Sequence, residues 1–578
     1  MAGRIREIEN NTFREKLLRG IALAIPLSLL VFILYPFMRV FLASLWINEE
    51  WTFSVYRQVL GAQRVGLFWN TLLVSVPSTV LATALGLALA LLVVRSAMPG
   101  IVKKLFSFVA IFNIISPPFV SALSFILLFG RRGLITRELL GLNVNLFGWE
   151  SIVFLQTMGH ASIAFLVISS VLRRMDRDLE NAARDLGASN TRVFFSVTLP
   201  LLMPGLMAAA VLSFTLSLAD FGTPLLVGGG FRVLASEAYL QVIGQYNMPL
   251  AAALSVFLVL PCFAVFWLEK GVLGERSYLS EAPVESVATV GTVARGRGGF
   301  HPLVTAILFI FGLFFVLFTL AIFATIAVGA LTNIWGYDYT FSLRHFYEIW
   351  GQGTRSVRNS LFFAFWVATL GPLLGVVTAY YLEKSPFVGS RFFEFLALLP
   401  FVIPGPFLGI SYVLSFHRPP LALTGTALII ILLCIFRELP VSFKAGQAVL
   451  RQVSGNLEQA SLDLGANRWQ TFMRIFLPLM APAYRIGMIH AFIHVMTTIG
   501  AIIFLITPRY KVATFEIFDA TNRGSLGSGA AFALMLIVLT VAGLLLLNLV
   551  WNLPKIKEKS KEWMEDHGTV PGKHQQEL

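Results

Sequence analysis

Long apolar runs alternate with short polar, often basic, segments from residue 20 to residue 552. Twelve of these runs reach the roughly 20 residues that an α-helix needs to cross a hydrocarbon core of about 30 Å. They fall at 20–45, 68–94, 105–129, 150–172, 200–220 and 249–270, then at 303–331, 359–383, 392–416, 423–446, 480–506 and 528–552. The pattern predicts an all-α polytopic membrane protein. The first run follows a basic arm, but it is longer than a signal-peptide core and lacks a small-residue cleavage site, so it reads as a retained anchor.

The polar segments repeat. "LENAARDLGASNTRVFFSVTLP" from Leu179 to Pro200 returns as "LEQASLDLGANRWQTFMRIFLP" from Leu457 to Pro478, an offset of 278 with ten of twenty-two positions identical. Upstream, the run beginning at Asn70 answers the run beginning at Asn359, and "IISPPFV" from Ile114 answers "FVIPGPF" from Phe401. Six predicted helices precede and six follow the segment from Gly271, which is rich in Gly, Ser, Val and charge and suits a flexible linker. An even number of spans leaves both copies of the repeated segment on the same side, which makes the repeats parallel. The expected organisation is a first half at 1–270, a linker at 271–300, a second half at 301–552 and a tail at 553–578.

Within each copy a narrow apolar stripe has helical spacing: Leu179, Ala182, Ala183 and Leu186, then Leu457, Ala460, Ser461 and Leu464. Gly187 and Gly465 suit the left-handed residue that ends a helix, and Ser189 and Asn467 suit the cap of the next one. Pro200 and Pro478 are expected to close the second helix. The predicted product is a helix, a sharp turn and a helix, projecting from the membrane. Such a helix either packs beneath its own bundle or docks a partner, and two matched copies favour a two-fold partner.

Only 13% of residues are charged, against about 25% in soluble domains, so composition agrees with the hydropathy pattern. The net charge of +13 is spread through short loops and gives no nucleic-acid footprint. It reports orientation instead: with the N-terminus inside, roughly twice as many Lys and Arg fall in the cytoplasm as outside. The N-terminal arm (Arg4, Arg6, Arg14, Lys16, Arg19) and the tail (Lys555, Lys557, Lys559, Lys561) then lie inside, while Arg131, Arg132 and Arg137 dissent. Cys262 and Cys434 both sit in predicted helices and indicate no disulfide framework.

The order Ala182, Ala183, Gly187, Val197, Leu199, Pro200, repeated as Ala460, Ser461, Gly465, Ile475, Leu477, Pro478, resembles the EAA loop of permease subunits in binding-protein-dependent ABC importers of the bacterial inner membrane. That resemblance implies a type I importer permease fold and a loop that forms a coupling helix in a cleft of each ATPase subunit. The residues it assigns to coupling are Glu180, Ala182, Ala183, Asp185 and Gly187, with Glu458, Ala460, Asp463 and Gly465. The position the family fills with Glu holds Asn181 and Gln459, and Glu180 and Glu458 sit one residue earlier. Implied partners are two copies of an ATPase, carrying ATP and Mg, and an extracytoplasmic substrate-binding protein. No Gly-x-x-x-x-Gly-Lys-Ser/Thr run occurs in the chain, so no nucleotide cofactor or catalytic residue is expected here.

Polar residues at membrane depth are functional candidates because each costs energy unless it is paired or faces water. His160 corresponds to Glu438 at the same offset, and either pair of environments, pathway lining or local satisfaction, fits them. His490 and His494 share a helix face at a spacing able to bind metal, but with no carboxylate or Cys in their own helix, polar packing or pathway lining is the reading favoured over a closed metal site. "LADFGTPLLVGGG" carries Asp220 and Gly222, and Gly222 corresponds to Gly500; irregular backbone here is tolerated where it lines a cavity. Asp220 is a candidate gate, metal contact or turn cap. Fusion of two halves and the "ADFGTP" segment look most like the ferric iron permeases, with phosphonate, phosphorylated sugar and thiamine permeases similar. The rival class is an ion-coupled secondary transporter, which gives no reason for duplicated docking loops; no nucleophile-base cluster suggests a membrane enzyme.

Overall fold

The computed structural model describes residues 20, 22–61, 64–273, 301–384, 387–453 and 456–567. Among them, nine helices are long and apolar enough to cross a membrane, and up to eleven spans result if each of two sharply bent helix pairs counts as one. The chain is a polytopic, helical membrane protein; among the described residues its sheet is confined to two antiparallel hairpins. The basic arm at 1–19, residues 274–300 of the expected linker and residues 568–578 of the expected tail lie outside the described residues.

In the N-terminal half, α1 (Ala22–Leu45) leads through the hairpin β1 (Trp46–Ile47) and β2 (Glu50–Trp51), then α2 (Ser54–Leu60), into α3 (Val65–Val94). There follow α4 (Gly100–Ile115), α5 (Pro118–Phe129), α6 (Trp149–Arg174), the short α7 (Arg177–Asp185) and α8 (Asn190–Ala219). Two short helices, α9 (Gly222–Val227) and α10 (Leu234–Ile243), precede α11 (Met248–Leu273).

The C-terminal half follows a similar order, except that two helices stand where α8 is one and a 3-10 turn at Ile502–Phe504 stands where α9 is. Its members are α12 (Pro302–Leu331), the hairpin β3 (Thr332–Ile334) and β4 (Asp338–Phe341), α13 (Arg344–Glu348) and α14 (Thr354–Lys384). Next come α15 (Ser390–Val402), α16 (Gly405–Ser415), α17 (Ala427–Gln452), α18 (Asn456–Asp463), α19 (Arg468–Leu479) and α20 (Ala481–Thr497). The chain closes with α21 (Ala513–Asn522) and α22 (Leu526–His567).

Equivalent hydrogen bonds hold equivalent elements. Asn70 Nδ2 donates to the Arg232 carbonyl and Asn359 Nδ2 to the Arg509 carbonyl, each at 3.0 Å. The Leu234 amide donates to Thr71 Oγ1 and the Ala513 amide to Ser360 Oγ, each at 2.9 Å. These bonds fasten α10 to α3 and α21 to α14 by satisfying a helix-start amide that has no intrahelical partner. At the core, α3 packs on α6 and α14 on α17. Gly86 meets Ala164 and Gly375 meets Ser442 so closely that a Cβ on either glycine would clash, the small-residue packing that lets membrane helices approach.

Several expected spans differ in detail. The run 105–129 is two helices parted at Ser116 and Pro117, and 392–416 is likewise two, bent by 115°. Pro117 and Pro404 hold nearly the same extended backbone, with ψ of 142° and 143°. A proline has no amide to donate and pushes the residue before it out of the helical region, so apolarity continues through the break while the helix does not. Pro200 does not close a helix: α8 runs from Asn190 to Ala219 through a π-helical stretch at Phe194–Thr198. In the C-terminal half the matching π-helical stretch is followed by a 60° bend between α19 and α20. The expected span 480–506 ends as a helix at Thr497, and α22 continues past 552 to His567.

The first helix of each half packs against the other half. α1 lies on α16, where Tyr412 Oη donates to the Phe32 carbonyl at 2.8 Å. α12 lies on α3 and α5, where Ser124 Oγ donates to the Ile322 carbonyl at 2.9 Å and Trp335 Nε1 to the Leu127 carbonyl at 3.0 Å. α17 is long enough to cross a membrane but carries Arg437, Glu438 and Lys444 near its middle. Each has a partner inside the bundle: Lys444 pairs with Glu394 at 3.4 Å, and Arg437 donates to Thr498 Oγ1 at 2.5 Å.

Candidate translocation pathway and docking loops

At one end of the bundle, α7 and α18 project most of the expected stripe outward, but Ala183 is half-buried and Ser461 is buried, so those two positions do not belong to the exposed face. Leu186 and Leu464 are 89% and 88% exposed, and Leu179, Ala182, Leu457 and Ala460 are exposed beside them. Asp185, Asp463, Asn181 and Gln459 are exposed as well. Gly187 and Gly465 take the left-handed conformation, with φ of +87° and +83°. The Ser189 side chain accepts from the Arg192 amide, and Asn467 accepts from the Gln470 amide in a reciprocal capping box. The helix–turn–helix read from the sequence is thus formed twice, with two leucines at each site open to solvent in the chain alone.

The back of each loop is built differently. Glu180 is buried, 3.2 Å from the Arg95 guanidinium that follows α3, and accepts from Thr198 Oγ1 at 2.9 Å. Burial lowers the Arg95 pKa, and Glu180 opposes that shift. Arg177 also donates to the Val94 carbonyl at 3.2 Å, so α7 is clamped to the end of α3. In α18, Glu458 is only half-buried, and Ser461 is the buried residue, 3.0 Å from Thr471 Oγ1. There the end of α14 meets α19 through aromatic packing, with Tyr380 4.6 Å from Phe472 between ring centroids and Lys384 over the Phe476 ring. Glu180 and Ser461 therefore face inward, away from the exposed stripe.

Midway along the bundle, His160 and Glu438 occupy corresponding places in α6 and α17 but have different company. Asp220, at the end of α8, accepts from Gln156 Nε2 at 3.0 Å and from the Gly222 and Thr223 amides at 3.1 and 3.0 Å. Ser217 completes this network by donating to Gln156 Oε1 at 2.6 Å. Asp220 thus caps the start of α9. In the C-terminal half, Glu438 is buried and meets both histidines of α20: His490 Nε2 lies 3.1 Å from Oε2 and His494 Nδ1 lies 3.6 Å from Oε1. The carboxylate missing from α20 is supplied by α17, 52 residues earlier in the chain than His490, with no local pattern to announce it.

Beside Asp220, aromatic rings from the two halves meet. Phe119, Phe221 and Tyr239 come from the N-terminal half, Phe504 and Phe518 from the C-terminal half. Phe518 lies 5.1 Å from Phe119 and 6.1 Å from Tyr239, which is 6.1 Å from Phe504 and stacked on Phe221 at 5.2 Å. Gly222 is buried against Phe119, where a Cβ would run into the ring, whereas Gly500 has nothing closer than Pro406 Cδ at 4.0 Å. Sequence reasoning passed over this cluster although Phe221 lies between Asp220 and Gly222, both singled out. A lone Phe in an apolar run carries no signal of a partner in the other half.

The family described as binding-protein-dependent transport system inner membrane component matches residues 82–272 and again 371–552. The chain belongs to that family. It is an importer permease subunit, the multi-pass component that forms the translocation pathway, and its two matches to the family cover the corresponding regions of the two halves. The permease is 31% identical over 564 residues, 95% of its length and 81% of the relative's, to the ferric transport system permease protein FbpB of Actinobacillus pleuropneumoniae. It is 32% identical over 514 residues, 86% of its length and 79% of the relative's, to a putative ferric transport system permease protein FbpB 1 of Haemophilus influenzae. A third similarity, to the molybdenum transport system permease protein ModB of Mycobacterium tuberculosis, is 36% over 189 residues, 32% of this permease and 69% of the relative.

Proposed function

We propose that this chain is the fused, two-repeat permease of an inner-membrane ABC importer for ferric iron. Six spans per half, at 1–270 and 301–552, are joined by the linker 271–300, and both termini and the tail 553–578 face the cytoplasm. α17 is counted among the twelve because its charges are paired within the bundle, and each broken helix pair is counted as one span. Two ATPase copies dock on α7 and α18, and an extracytoplasmic binding protein delivers the ion at the opposite face of the membrane. ATP-driven closure of the ATPases is passed through 179–200 and 457–478 to the helices that follow.

The observation that carries this reading is the duplicated exposed stripe, Leu179, Ala182 and Leu186 with Leu457, Ala460 and Leu464, each ended by a left-handed glycine. An apolar stripe of this kind is stable when covered, and matched copies suit two identical subunits. Family membership favours this coupling over an ion gradient. Ferric iron rests on the names of two of the relatives that match along most of the chain. The test is uptake into vesicles holding the permease and its ATPase, with binding protein supplied outside. Vanadate-sensitive accumulation of ferric iron is expected, with none of phosphonate, sugar phosphate or thiamine; accumulation of one of those and not of iron would overturn the substrate while leaving the importer role standing.

A further inference from the structure

We propose that Glu438, His490 and His494 form a binding site for one divalent first-row transition cation, such as Fe2+, Co2+ or Zn2+. One carboxylate oxygen and one nitrogen from each ring lie within 4.8 Å of one another. Each carboxylate oxygen has one imidazole nitrogen close to it, His490 Nε2 at 3.1 Å from Oε2 and His494 Nδ1 at 3.6 Å from Oε1, near the roughly 3.4 Å between ligand atoms of a tetrahedral site with bonds of about 2.1 Å. The imidazoles sit one helical turn apart with centroids 4.2 Å apart, and they present different nitrogens, Nε2 and Nδ1, to opposite oxygens of the same carboxylate. That convergence is more than one hydrogen bond to Glu438 requires. It also comes from two helices held by independent packing, so the ligands are brought together by the fold.

The donor set selects the cation. Two imidazoles and one carboxylate suit borderline divalent ions, whereas the hard ferric ion and Mg2+ prefer all-oxygen ligands. Glu438 is buried, while His490 and His494 are half-buried, which leaves the imidazole side able to accept water as a further ligand. Arg437 bears on the affinity. Its Nε lies 3.8 Å from Glu438 Oε1, and its Nη1 is held by Thr498 Oγ1. This fixed positive charge opposes cation binding, so the site binds more weakly than its ligands alone would allow. Its location has a mechanical consequence: a metal bound here ties α17, which leads into α18, to α20, which follows α19. The site does not depend on the identity of the imported substrate.

The full-length permease, purified through a tag without histidines and stripped with chelator, is titrated with Co2+ and then competed with Zn2+. One Co2+ per chain with tetrahedral-type visible absorption is expected. In His490→Gln and His494→Gln, binding is expected to weaken at least about 100-fold, while His417→Gln, outside the cluster, binds as the unaltered chain does. Arg437→Gln is expected to bind several-fold more tightly, a change that a hydrogen-bonded cluster alone does not explain. Size-exclusion elution shows that each variant is folded. Absence of stoichiometric Co2+ and Zn2+ binding by the unaltered chain, or equal binding by both histidine variants, overturns the proposal and leaves a hydrogen-bonded His–Glu cluster only.

Discussion

The two docking loops present nearly the same surface on different foundations. α7 and α18 expose leucines to the same extent, turn at glycines of almost the same φ and cap the next helix with a polar side chain. Behind that surface, α7 rests on a buried Arg95–Glu180 pair, and α18 on a hydroxyl pair and aromatic rings. The exposed faces are alike, whereas each support fits only its own half. The same divergence appears at mid-membrane, where Asp220 is spent on capping α9 and its counterpart Thr498 holds Arg437 beside Glu438.

The strongest way to break the likeness is to charge both faces at once. With Leu186→Asp and Leu464→Asp together, each docking site loses about 2 kcal/mol of apolar burial and gains a carboxylate to desolvate. ATP-driven uptake is expected to fall below detection while membrane abundance stays normal, as quantitative blotting beside transport will show. The unlike foundations come next. Glu180→Ala strands the buried Arg95 and is expected to cost about 3 kcal/mol, read as a lower melting temperature. Glu458→Ala, at a half-buried position without that pairing, is expected to stay within about 0.5 kcal/mol. Equal losses in the two variants would erase the contrast.

A smaller asymmetry is expected at the aromatic cluster. Gly222→Ala forces a methyl toward Phe119 and is expected to cost about 1–3 kcal/mol as overpacking. Gly500→Ala has open space and is expected to change stability little. Thermal unfolding of the two variants in one detergent makes the comparison. Smallest and most symmetric are the caps: Ser189→Ala and Asn467→Ala are each expected to cost about 1 kcal/mol, with similar effects on hydrogen exchange of α8 and α19.

The two helix–turn–helix loops were legible in the sequence because their polar segments repeat and because glycine and cap residues act locally. Most spans were legible from apolarity, but their breaks were not. Ser116-Pro117 and Ile403-Pro404 interrupt helices inside unbroken apolar runs, and hydropathy averages across them. Glu180 was placed with the docking residues by its neighbours in sequence, and only the structure shows it turned toward Arg95. Contacts between distant segments left no trace: neither the meeting of Glu438 with His490 and His494 nor the ring of Phe119, Phe221, Tyr239, Phe504 and Phe518 has a periodicity to read.

The central claim is that each loop docks one ATPase. Counting ATPase subunits by native mass spectrometry of the detergent-extracted complex tests it most directly. Two per permease are expected for the unaltered chain, one for Leu186→Asp, one for Leu464→Asp and none for the double variant. Two ATPases retained on the double variant would contradict the account.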